Sequence, residues 1–377
     1  MNPVITTPAA TTVFTTVLTR GPISRTDVSK VTGLSSAAVT RAVKPIMEAG
    51  YLDELPYGRR TATGSGRPAA PLAVRADREF FVGVKITATE LIAVVTDLRA
   101  QVRAAEHLQL AGRDVDTVIA ALGQVVGDLV EHPERTHSLG IAISGDVDKA
   151  GGVVRYSPFL GWHDVPLARL ARRATGLATT IENDVKALTV AEQWFGEGVG
   201  AEAFAVVTVG AGIGCGLVVH GVLVEGGYGV AGEIGHVPVA DFGPACHCGG
   251  RGCVEAIASE RAIVAQARAV TGQDRLDMNA VIDLAHQGHP AVCEVFAIAG
   301  RAIGRGIAAM VNMFGPEKVV VSGEGLAAYD LFENHIRDAF TPQAFGAAGR
   351  CPLVIRPLPF EEWARGAAAV SIQTLFR

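Results

Sequence analysis

The sequence predicts an α/β protein in two parts: an N-terminal winged helix-turn-helix over residues 1–77, then a larger body of strands and helices over residues 78–377. Three observations carry this. The first 75 residues hold helical segments divided by Gly-Pro and Gly-Leu stops. They contain nine Lys and Arg against four Asp and Glu, a balance of +5 that leaves −10 for the remainder. A basic head on an acidic body is the footprint of a nucleic-acid-binding module attached to a soluble domain. From residue 79 onward, short apolar runs of strand length alternate with longer helical stretches, the pattern of α/β layers.

In the head, residues 8–20 form a first helix ending at Gly21-Pro22. Ser24-Arg25-Thr26-Asp27 opens a second, with an acid near its positive end and Ile23, Val28, Val31 and Leu34 on its apolar side. Gly33-Leu34 makes the turn. A third helix starts at Ser35, with Val39, Val43, Ile46 and Met47 inward and Gly50 as its stop. Its outer face carries Ser35, Ser36, Thr40, Arg41 and Lys44, side chains suited to base edges and phosphates in a major groove. Pro45 should kink this helix or end its regular part, which places base contacts before Lys44. Tyr51-Leu52 and Leu72-Ala73-Val74 read as paired strands around a polar loop. Arg59, Arg60 and Arg67 would then sit on a wing and suit a minor groove. The other reading of such a triad is a helical interaction domain with a solvated basic face.

In the body, strands are expected within 79–98 and at 139–144, 178–182, 204–209, 216–219 and 318–321, with helices at 115–130 and 256–271. Hydrophobic residues make up 49% of the chain and charged residues 19%, which excludes a disordered protein. No segment reads as a secretory signal or membrane span, so a cytoplasmic protein with no membrane partner is expected.

Residues 235–255 carry the strongest motif. His236, Cys246, Cys248 and Cys253 fall in the spacing H-x9-C-x-C-x4-C inside a glycine-rich loop. Imidazole and thiolate ligands are what Zn²⁺ takes in a tetrahedron, and four of them leave no open position, so a structural zinc is expected. The alternative is chance clustering or a disulfide. Cys215, Cys293 and Cys351 are scattered, which suits a reducing compartment.

GEIGH at 232–236, CHCGGRGCVE at 246–255, ENDVKALTVAE at 182–192 and TVGAGIGCG at 208–216 together resemble the ROK family (repressor, open reading frame, kinase). The resemblance covers essentially the whole chain. It implies a two-lobed, actin-like, sugar-kinase-like (ribonuclease H-like) body whose C-terminal helix packs back on the first lobe, and a homodimer or homotetramer. It implies that Asn183 and Asp184 face a sugar, Asp184 being the base that deprotonates the accepting hydroxyl in kinase members; read alone, the pair is a helix N-cap. Glu233 and Glu255 match further sugar-contacting carboxylates, and His236 is expected to touch the sugar as well. Zinc would hold the loop that carries them. Trp162 either lines that pocket or packs in the core.

Kinase members of the family carry a first phosphate loop like D-x-G-G-T. Here the aligned residues are Lys85, Ile86, Thr87, Ala88 and Thr89, a cation where the acid belongs and side chains where both glycines belong. The second loop keeps Gly210, Gly212, Gly214 and Gly216 but has Ala211 where a threonine is usual, and Glu324 stands between Gly323 and Gly325. The expectation is therefore a sugar-responsive repressor of carbohydrate-metabolism genes, binding double-stranded operator DNA and released by a sugar or sugar-derivative effector, without kinase activity. The alternatives are an active ATP-dependent sugar kinase with a DNA-binding head, and a regulator controlled by a protein partner.

Overall fold

The structure, a computed structural model, describes residues 5–56 and 70–376. The expected wing arginines Arg59, Arg60 and Arg67 lie outside the described residues. Two compact units emerge: Met1–Val199 with Glu361–Arg377, and Gly200–Phe360.

The first unit begins with α1 (Pro8–Arg20), a two-residue β1 (Ile23–Ser24), α2 (Arg25–Thr32), α3 (Ser36–Glu48), β2 (Leu52–Glu54) and β3 (Pro71–Val74). Ser24 caps α2 by accepting the Asp27 N–H at 3.1 Å, and its hydroxyl donates to the Asp27 carboxylate at 2.7 Å. Ser35 caps α3 by accepting from the Ala38 N–H. Such caps are worth about 1 kcal/mol each. Gly33, at φ 71°, closes α2 in the left-handed conformation. β2 and β3 pair antiparallel with Leu52 opposite Val74.

One expectation fails here, and of the two outcomes expected at Pro45 one does not occur. Val31 is 46% exposed, not on the apolar side, since α2 buries Val28 alone. Pro45 does not end α3: one ladder bond is lost, but Ala49 N–H donates to the Pro45 carbonyl at 3.0 Å, and buried Val43 and Ile46 hold the helix to the core around it.

The unit continues with β4 (Phe80–Ile86), β5 (Glu90–Asp97), β6 (Val102–Gln109), α4 (Val115–Leu129), β7 (Thr136–Ile143), β8 (Asp146–Asp148), β9 (Val153–Ser157), β10 (Trp162–Val165), α5 (Leu167–Thr175), β11 (Ala178–Asn183) and α6 (Asp184–Phe195). The main sheet has order β11-β7-β4-β5-β6, antiparallel across β4, β5 and β6 and parallel from β4 through β7 to β11. The second unit holds β12 (Phe204–Val209), β13 (Ile213–Val219), β14 (Val222–Leu223), α7 (Val254–Ala258), α8 (Glu260–Thr271), α9 (Met278–His286), α10 (Pro290–Phe314), β15 (Val319–Ser322), α11 (Tyr329–Gln343) and β16 (Leu353–Ile355). Its sheet, β14-β13-β12-β15-β16, repeats the same order and the same pattern of antiparallel and parallel pairs. Each unit thus centres on one ribonuclease H-like sheet. The helix expected at 256–271 is two helices, since Ser259 adopts an extended backbone and caps α8 with its side chain.

The chain returns to the first unit as α12 (Glu361–Ile372). This helix lies directly on the backbones of β4 and β7: a Cβ on Gly83 would stand 1.9 Å from the Ala364 carbonyl oxygen, and one on Gly140 1.9 Å from that of Ala367. Ser138 and Ser371 share a 2.6 Å hydrogen bond beneath it. Head and body in this unit share one core. Phe14, Val17, Val43, Ile46 and Leu72 cluster with Phe81, Leu98, Ala368, Ile372 and Leu375, and Trp194 and Phe195 at the end of α6 pack against them. Trp162 packs in the core on the sheet's other face, with its Nε1–H donating to the Arg113 carbonyl at 2.7 Å.

Candidate functional site

In the first unit, β11 delivers Asn183 and Asp184 to the start of α6. Asn183 is its N-cap: Oδ1 accepts from the N–H groups of Val185 and Lys186, and Nδ2 donates to the Gly145 carbonyl at 3.1 Å. One amide hydrogen is left over. Asp184 is buried, and its Oδ2 receives both the Lys85 ammonium, in a close ion pair, and the Ser144 hydroxyl at 2.5 Å. Lys85 Nζ also lies 3.1 Å from Ser144 Oγ and 5.3 Å from the centre of the Trp363 ring on α12. Burial by itself would raise the Asp184 carboxyl, but the Lys85 charge and hydrogen bond, with help from Ser144, hold it below the usual carboxylate range. The sequence had pointed to Lys85 as an anomaly and to Asp184 as a ligand-facing acid. That the two form one ion pair, completed by Ser144, was not foreseen.

In the second unit, His236 ends a short 3₁₀ turn and the three cysteines follow in the glycine-rich loop. His236 Nδ1 lies 3.5 Å from Cys246 Sγ, Cys248 Sγ lies 3.8 Å from Cys253 Sγ, and the four ligand atoms all fall within 4.8 Å of one another. A tetrahedral ion with metal–sulfur bonds of about 2.3 Å sets its sulfurs about 3.7 Å apart. The Cys₃His cluster fits a bound metal ion on donor type and spacing. Burial first, and the neighbouring sulfurs after it, push the Cys253 thiol up to about 12, a cost that a bound cation removes.

The expected sugar-contacting residues of this unit sit around that cluster. Glu233 Oε2 is 3.9 Å from His236 Nε2, while the other ring nitrogen meets Cys246. Glu255, on α7, is engaged at both oxygens: Oε1 meets His247 Nε2 at 2.7 Å, and Oε2 accepts the Ile213 N–H at 3.0 Å. His247 went unnoticed in the sequence. Its signal was its place between two metal-ligand cysteines, eight residues before Glu255.

The glycine loop after β12 is also occupied by side chains of this unit. Glu324 Oε1 accepts the Ala211 N–H at 2.8 Å. In the head, Ser35, Ser36, Thr40, Arg41 and Lys44 are all exposed along one side of α3. Lys44 lies 3.9 Å from Glu48, and Arg41 pairs with no acid among the described residues.

These features define a ribonuclease H-like body with a Cys₃His loop, preceded by a three-helix basic head. Residues 81–373 match the model of the ROK family, and the chain belongs to that family. It is 30% identical over 342 residues to the DNA-binding transcriptional repressor Mlc of Escherichia coli K12, covering 87% of this chain and 83% of that protein. A crystal structure of a ROK family transcriptional regulator, a homologue of the E. coli Mlc protein, superposes with a TM-score of 0.81 at 26% identity, covering 97% of this chain and 96% of that one. A ROK family glucokinase from Streptomyces griseus, solved with glucose and AMPPNP, matches with a TM-score of 0.68 at 27% identity, covering 77% of this chain and 98% of that one. The regulator matches the head as well as the body, whereas the kinase leaves nearly a quarter of this chain unmatched.

Proposed function

We propose that this protein is a sugar-responsive, DNA-binding transcriptional regulator, a repressor released from its operator by a sugar or sugar derivative. The observation that carries it is the exposed row Ser36, Thr40, Arg41 and Lys44 on a capped helix that follows a helix and tight turn, in front of a ROK body. A helix so placed enters a major groove, with its N-terminal residues at base edges and its cations at phosphates. The match to Mlc and to a Mlc homologue over almost the full length supports this reading. A homodimer or homotetramer would present two such helices to a two-half-site operator.

For the effector, Asn183 and Asp184 in the first unit, and Glu233, His236 and Glu255 in the second, are each read as groups able to hydrogen-bond hydroxyls. The Cys₃His loop is read as a structural Zn²⁺ site: His236 and the three cysteines would hold the ion, whose chemistry is to fix the loop. His236 Nδ1 faces the sulfurs, so Nε2 stays free to work with Glu233.

Phosphoryl transfer is not part of this reading. Its general base would be Asp184, and an acid held ionised by a buried ammonium is a weak proton acceptor. Thr87 and Ala88 fill positions where a phosphate loop needs bare backbone. The deciding experiment is a titration of the promoter DNA next to the gene, with and without a panel of sugars and sugar phosphates, alongside an assay of sugar-dependent ATP consumption. Tight, salt-sensitive DNA binding relieved by one sugar is expected. DNA affinity unchanged by every sugar that binds removes the effector mechanism, and ATP turnover lost in Asp184→Asn establishes the kinase instead.

A further inference from the structure

In the glycine loop between β12 and β13, two backbone N–H groups each donate to a carboxylate of the same unit. Ala211 N–H donates to Glu324 Oε1 at 2.8 Å, and Ile213 N–H donates to Glu255 Oε2 at 3.0 Å. Gly210 leaves the space in which the Glu324 carboxylate lies: a Cβ there would stand 2.2 Å from Glu324 Cδ and 2.3 Å from Oε1. The segment carrying Glu324 is fitted to the loop backbone on both sides. Cβ atoms at Gly323 and Gly325 would come within 2.4 and 2.8 Å of the Val209 carbonyl oxygen, so the carboxylate is delivered by a turn that has no slack. A backbone N–H that donates to a carboxylate is one that could otherwise donate to a phosphate oxygen.

We propose that Glu324 is a resident anion that closes a latent polyphosphate site at residues 210–213, and that its charge keeps nucleoside triphosphates out of this chain. This rests on the reading that the protein transfers no phosphate, and it names the residue responsible in the second unit. The loop keeps its glycines because the carboxylate needs the same bare backbone as a phosphate.

The test is calorimetric titration of the full-length protein with Mg²⁺·ATP and, separately, with inorganic triphosphate. The proteins are the natural one, Glu324→Ala and Glu324→Gln. Both variants are expected to bind both probes at least about tenfold more tightly than the natural protein, since one like charge at contact range has been removed. Equal affinity in the natural protein and the variants overturns the proposal, as does a failure of both variants to bind either probe. Should Glu324→Ala unfold, Glu324→Gln decides alone, because it removes the charge while keeping the length of the side chain. Failure of the non-enzyme reading is a separate observation: sugar-dependent ATP consumption by the natural protein.

Discussion

Lys85 and Asp184 form the pair on which the first unit's site turns, and their burial makes the consequences of breaking it large. Removing one partner of a buried, hydrogen-bonded ion pair costs about 3–5 kcal/mol, because the other is left charged without compensation. Lys85→Met should therefore lower stability by that order at pH 7, read from urea unfolding. The pH dependence gives the sign. With Lys85 present, the Asp184 carboxyl titrates below its unfolded value, so its contribution is fully present above about pH 3.9 and is lost only as pH falls through the depressed folded value. With methionine in place, burial is opposed only by the Ser144 hydroxyl and the Val185 N–H, so the carboxyl rises and protonation relieves the variant as pH falls toward 5. The gap between the two proteins should narrow from pH 7 to pH 5; a constant gap would mean that Asp184 is not the group paired. The thiolate loop offers a second residue-scale prediction. Chelation with 1,10-phenanthroline should release one zinc per chain and lower the unfolding midpoint, and Cys253→Ser should abolish both the bound zinc and the chelator's effect. A natural protein isolated without metal, and indifferent to the chelator, would end the zinc assignment.

At the scale of elements, α12 decides the integrity of the first unit, because its backbone rests on glycines. Gly140→Val would drive a side chain into the Ala367 carbonyl from 1.9 Å, and overpacking that cannot relax costs about 1–3 kcal/mol or more. Since Ile372 and Leu375 belong to the core shared with the head, the same change should loosen the head. Hydrogen exchange should show faster exchange in α1 and α3 as well as in β7; protection lost in β7 alone would mean that the head stands apart from α12. The elements that were legible in the chain were so for definite physical reasons. β4, β7, β12 and β15 are apolar runs bounded by turn residues, and Ser24 and Ser35 announce the helices they cap. β6 escaped notice because VRAAEHLQ is a half-exposed edge strand with too few apolar residues to mark a period. The 256–271 helix was read as continuous because Ser259 is an ordinary helix residue until its backbone turns extended to cap α8. At the site, residue types and spacing gave the Cys₃His cluster, whereas the pairs Lys85 with Asp184 and His247 with Glu255 join residues whose partnership only the fold creates.

For the molecule as a whole, the proposed effector would have to be felt at α3 if it binds at the Asn183–Asp184 corner of the first unit. Two helices run between those places. α6 begins at Asp184 and ends at Trp194 and Phe195 against the head's core; α12 sets Trp363 over Lys85 near its start, and Ala368 and Ile372 in that same core. A ligand that rearranges the Lys85–Asp184 pair therefore acts on the near ends of two rigid elements whose far ends support α1 and α3. Such coupling is an energy and must be reciprocal: if a sugar weakens operator binding by some factor, operator DNA weakens sugar binding by the same factor, typically about 5–150-fold. Phe195→Ala tests the route. It lies far along α6 from the ligand corner, on no proposed DNA contact, so sugar affinity without DNA and operator affinity without sugar should stay within about threefold of the natural protein. The factor linking them should shrink toward one, measured by DNA titration at zero and saturating sugar. An undiminished factor in Phe195→Ala would place the communication outside α6, and the corresponding change at Ile372 would then ask the same of α12.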